Sequence, residues 1–157
     1  MPDPAGAKID LRYLAARHRL KLCGTYELVG IGILALDRGY DSHSLRLLAG
    51  ESRENILLVE QLFENSMIEL GVDIPTQEEA IALVSRQIAH DVIDGSIPPR
   101  EGAKQMRTEI CMQNEAAYSR FLPYIGLESE YEDYPEGSDA HDKRMVEECL
   151  KLVRNCK

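Results

Sequence analysis

His90, Asp91 and Asp94 bring the ligand types of a divalent-metal site into five consecutive positions. On a helix, residues at i and i+4 share a face, so the His90 imidazole and the Asp94 carboxylate are spaced to hold one ion. The chemistry would be hydrolysis by a metal-activated water, with His43 as a further ligand from upstream. The same residues also have a plainer use. A histidine in the last turn before Gly95 suits the negative end of a helix dipole. Di-iron chemistry fails at once, because it needs Glu-x-x-His pairs and no Glu stands three residues before any His. Asp41-Ser42-His43 sets acid, hydroxyl and imidazole side by side, but a catalytic triad is assembled in space. Ser42 is better placed as an N-cap. Cys23 beside His18 reads as a small core residue rather than a nucleophile.

Residues 30–35, GIGILA, match the dinucleotide fingerprint G-x-G-x-x-[GA]. That motif works only where a strand turns into a helix whose N-terminus receives the pyrophosphate. Here the start signal TYEL precedes the glycines, so Gly30 and Gly32 fall inside a helix. Its residues are apolar nearly all round, which describes a buried central helix. Each internal glycine weakens it by about 1 kcal/mol relative to Ala, and close approach of a neighbouring helix is the expected compensation. The next stretch, SLRLLAGESRENILLV, has the cadence of a DNA-reading helix-turn-helix. Arg46 and Glu51 stand where that motif needs burial, and its second helix lacks donors for bases and phosphates.

The formal charge of −9, from 27 acids against 18 Lys and Arg, disfavours nucleic acid. It would attract a basic partner. Acids concentrate in residues 126–142, GLESEYEDYPEGSDAHD, which contain no Lys or Arg. Gly126, Pro135 and Gly137 mark this stretch as an acidic loop. It serves either as a solvated linker or as a surface of Glu128, Glu130, Glu132, Asp133 and Glu136 with Tyr131 and Tyr134 between them. Aromatics beside charge suit interface anchors.

These candidates depend on helices. Apolar residues recur at helical spacing in 53–70 (Ile56, Val59, Phe63, Met67, Leu70), 76–94 (Ile81, Val84, Ile88, Val92) and 98–114 (Ala103, Met106, Ile110). Residues 9–22, 25–38, 42–49, 118–125 and 140–155 complete the pattern. Thr76 with Glu79 is a capping box, Ser42 and Ser52 are further starts, and Pro98 and Pro99 suit a first turn. Gly39, Gly50, Gly71 and Gly95 stand where left-handed helix ends are expected. No segment alternates like a strand. The expectation is one all-α domain over 1–157, a bundle of six or seven helices with 25–38 central. A short α-solenoid is the alternative.

No 18-residue apolar run and no secretory leader stand out, and the four cysteines show no C-x-x-C spacing. Cys149 and Cys156, two turns apart on a helix, are too distant for an unstrained disulfide. A reduced, cytoplasmic protein with no membrane segment is expected.

The stretches LALDRGYDSHSLRLLAGES, FENSMIELGVDIPT and HDVIDGSIPPREGAKQM together resemble a group of small, uncharacterised bacterial all-helical proteins. The shared markers are turns and packing positions over residues 34–110. The resemblance implies a helical fold in a bacterial cytosol and carries no activity. The expected function is a non-catalytic protein-binding or regulatory module for a basic partner, without a cofactor. The alternative is a metal-dependent hydrolase using His90, Asp91 and Asp94.

Overall fold

The computed structural model describes residues 9–155, and these are helical with no strand among them. Cys156 lies outside the described residues. The helices are α1 (Leu11–Arg19), α2 (Thr25–Asp37), α3 (His43–Ala49), α4 (Ile56–Glu69), α5 (Gln77–Ile93), α6 (Pro99–Gln105), α7 (Glu115–Arg120), α8 (Leu122–Asp133) and α9 (Ser138–Asn155). A π-helical turn, Met106–Cys111, continues α6, and a 3-10 turn, Pro135–Gly137, joins α8 to α9. The length of the chain leads one to expect a single domain over 1–157; by its contacts the backbone forms two compact units, Met1–Ala80 and Ile81–Lys157. The boundary falls in the first turn of α5.

The first unit forms around α2, α3 and α4. Leu28, Val29, Leu45, Leu48, Val59, Phe63 and Met67 make its hydrophobic centre. Local signals set the ends of its helices. The Asp10 carboxylate accepts from the Tyr13 N–H (3.0 Å), and the Ser42 hydroxyl accepts from the Leu45 N–H (3.1 Å). The Thr76 hydroxyl accepts from the Glu79 N–H at 3.2 Å, the first half of the capping box, and donates to the Glu79 carboxylate at 3.1 Å. Glu69 on α4 accepts from both the N–H and the hydroxyl of Ser44, tying α3 to α4. Those two hydrogen bonds, the hydroxyl's first, hold the Glu69 carboxyl below its ordinary pKa. Ser52 does not start α4, which begins at Ile56 after Asn55.

Gly39, Gly71 and Gly95 take positive φ as expected, whereas Gly50 ends α3 at φ −101°. After α1 the same left-handed step is made by Lys21, at φ 59°. Its N–H reaches the His18 carbonyl and the Leu22 N–H reaches the Arg17 carbonyl, each at 2.9 Å. This is the pair of hydrogen bonds that a glycine usually closes. A side chain in this region is strained by about 1–2 kcal/mol, and glycine adds back part of that as unfolded-state entropy. Lys21→Gly should therefore stabilise the protein by about 0.5–1 kcal/mol, read as a raised urea midpoint at unchanged m-value.

α2 departs from the expected buried cylinder. Leu28, Val29, Ile31, Gly32 and Ala35 are buried, but Tyr26, Ile33 and Leu34 are 72%, 48% and 37% exposed. Gly32 is a packing glycine, since a Cβ there would lie 3.0 Å from Leu48 Cγ. Gly30 is not, because a Cβ there would meet nothing within 4 Å. The apolar composition hid a two-sided helix.

In the second unit, Met106, Ile110, Phe121, Tyr124, Leu127, Tyr131, Met145 and Cys149 are buried. The stretch 126–142 is not the acidic loop that its glycines and proline suggest. Residues 126–133 belong to α8 and 138–142 to α9, with only the short turn at Pro135 between. Tyr124, Leu127, Glu128 and Tyr131 are buried at i, i+3, i+4 and i+7, a spacing that gives one continuous inner face. That burial outweighs the like charges displayed on the outside.

Candidate functional site

The seven residues read as a partner-binding surface divide into two groups. Glu128, Glu130 and Tyr131 are used inside the fold. Glu128 is 8% exposed and paired with the Arg107 guanidinium, which the π-helical turn carries. Hydrogen bonding and charge from Glu128 push the Arg107 pKa above its ordinary value. Glu130 pairs with Arg144 and lies 3.3 Å from His141 Nδ1. The Tyr131 hydroxyl donates to Asp142 Oδ1 at 2.5 Å, and its ring meets His141 edge-on at 5.2 Å. Burial, then the Asp142 carboxylate, drives the Tyr131 pKa upward.

His141 is the fastener of the corner. It is 8% exposed, and its Nε2 donates to the Tyr134 carbonyl at 3.1 Å. Gly137 lets it sit there, since a Cβ would stand 3.0 Å from that nitrogen. The turn between α8 and α9 is thus held from inside by an imidazole bonded to its backbone, and residues 132–136 on its outside are exposed.

Glu132, Asp133, Tyr134 and Glu136 face outward, with Tyr134 63% exposed. The last turn of α8 contains no basic residue. Acids at a helix C-terminus oppose the macrodipole, so this end of α8 is charged against its own helical preference. Glu132 also lines a cavity of about 360 Å³ with Arg100, Lys104, Arg107 and Glu128. The basic ladder Arg100, Lys104, Arg107 at i, i+4, i+7 is the signal in the sequence that marks this cavity, and the acid-rich stretch 126–142 overshadows it.

His90, Asp91 and Asp94 lie at and just beyond the C-terminal end of α5, and two of them have other partners. Asp91 accepts from Gln87 Nε2 at 2.9 Å. Asp94 accepts from the Ser96 hydroxyl (2.5 Å) and the Ser96 N–H (2.9 Å), which hold its carboxyl below the usual range. Among the described residues, no three His, Cys, Asp or Glu side chains gather in metal-binding geometry. Burial pushes the Cys111 thiol to about 11 and the Cys149 thiol to about 12, so neither is poised as a nucleophile. Cys23 is also shifted upward by burial.

No helix of the described residues is long and apolar enough to cross a membrane. No family model, no curated protein and no solved structure matches the chain.

Proposed function

We propose that this chain is a non-catalytic protein-binding module of the bacterial cytoplasm, taking a basic segment of another protein at the corner between α8 and α9. The observation that carries this reading is the outer group itself. Asp133, Tyr134 and Glu136 project from a turn fixed by His141, and their side chains make no hydrogen bond or ion pair among the described residues. An exposed tyrosine ringed by acids offers a basic chain both stacking and charge. The rigid turn keeps the ordering cost of binding small. The binding reading is favoured over the metal-hydrolase alternative by the partners of Asp91 and Asp94, which accept hydrogen bonds from Gln87 and Ser96. Binding of this kind gives a regulatory or inhibitory module its means of action: it occupies a basic surface that the partner needs.

The test uses an Arg- and Lys-rich peptide titrated against the whole chain at low and high salt. Affinity should fall as salt screens the exposed charges. The double reversal Asp133→Lys with Glu136→Lys should weaken binding at least tenfold, about 1.4 kcal/mol. Equal affinity for wild type and double reversal would sink the proposal. Glu130→Gln is an unsuitable probe, because it disturbs Arg144 and His141 rather than the outer surface.

A further inference from the structure

Gly30 stands in the middle of α2, exposed, and nothing in the fold around it requires a glycine. Its neighbour in the fingerprint, Gly32, is explained by Leu48; Gly30 has no such partner. At 3.6 residues per turn, Tyr26, Glu27, Ile33, Leu34 and Asp37 all project within about 60° of Gly30. All five are on the outer side of the helix, and three are large and hydrophobic, with Tyr26 at 72%, Ile33 at 48% and Leu34 at 37% exposure. Gly30 is therefore the floor of an outward apolar face, with bulk before and after it and none at its centre. That shape admits a second helix at short range.

We propose that this face packs against the same face of a second copy of this chain, α2 antiparallel to α2, with the two Gly30 residues at closest approach. The shape is self-complementary about a twofold axis at Gly30. That axis sets Tyr26 of one copy against Ile33 of the other, and a second such contact follows by symmetry. The charges agree with the antiparallel sense. The Arg53 guanidinium lies over the Tyr26 ring, 5.4 Å from its centroid, at the N-terminal end of the face. Asp37 closes the opposite end. An antiparallel pair brings each Arg53 toward the other copy's Asp37, whereas a parallel pair sets like charge against like. The pairing is independent of the α8–α9 corner, which lies on other helices.

Sedimentation of the full chain across a wide concentration range tests this. The mass should rise from 17.7 kDa toward twice that value as concentration increases. Ile33→Asp should return the protein to monomer with its helical circular dichroism intact. Gly30→Ala, which fits the isolated fold freely, should still weaken the dimer about tenfold, a shift of one decade in the dissociation constant. Arg53→Asp and Asp37→Arg should each weaken it, and together should restore it. A mass of one chain at every concentration would overturn the proposal and leave the face to a different partner. A dimer indifferent to Gly30→Ala and Ile33→Asp would overturn it equally, by placing the contact elsewhere.

Discussion

Phe63→Ala should destabilise the first unit by about 3–5 kcal/mol, the range for emptying a buried aromatic site. Phe63 is fully buried among Leu28, Leu45, Leu48, Val59 and Met67, and its ring lies 4.9 Å from that of His18. The cost depends on whether the walls can close after the ring is removed. They are held apart: α3 is anchored to α4 through Ser44 and Glu69, and the His18 imidazole is engaged by Glu64 at 3.1 Å. Little collapse is expected, so the lost contacts add to the lost transfer energy. Phe63→Leu keeps most of the volume and should cost under about 1.5 kcal/mol. Urea unfolding followed by circular dichroism measures both. A loss below about 1 kcal/mol for the alanine variant would show that neighbouring side chains refill the site.

Much of this architecture was legible. Thr76 with Glu79, Ser42, Gly39 and Gly71 each carry a local chemistry that works without knowledge of the rest of the chain, and Asn114, which the sequence reading did not single out, caps α7 in the same way. Their hydrogen bonds are where the residue types place them. Three features were not legible, and each fails for a physical reason. α8 hides an inner stripe of Tyr124, Leu127 and Tyr131 beneath acids that suggest a solvated linker. α2 is apolar on both sides, so composition cannot tell its core face from its outer one. Lys21 makes a left-handed turn that no side chain favours, so the backbone bonds from Lys21 and Leu22 decide it.

The candidate site shows the same limit. Sequence alone identified the acidic residues but could not divide them. Glu128 and Glu130 look like Glu132 and Glu136 until Arg107 and Arg144 are placed beside them. Pairing across 21 and 14 positions of chain is a tertiary fact, and it changes which carboxylates are free to meet a partner.

Gly102→Leu should be about as damaging to the second unit as Phe63→Ala is to the first, near 3 kcal/mol, at the upper end of overpacking costs. Gly102 is buried on α6, and a Cβ there would collide with Val92 Cγ2 and stand 3.4 Å from Met145 Cε. Alanine at this position separates two opposing effects. Helix propensity favours it over glycine by about 1 kcal/mol, while its methyl must displace a neighbour at a cost of about 1–3 kcal/mol. Val92 decides the balance: it is buried on α5, and a valine in a helix has one strongly preferred rotamer. Met145 is pliable, but it is not the limiting contact. Gly102→Ala should therefore destabilise by about 1 kcal/mol despite its better propensity. The leucine variant should also lose the peptide binding tested above, because displacing α6 moves Arg107 away from Glu128 and loosens the wall behind the corner. A Gly102→Ala protein more stable than wild type would mean that Val92 yields after all. In that case the leucine variant should bind peptide normally, since the wall could shift without disturbing α8.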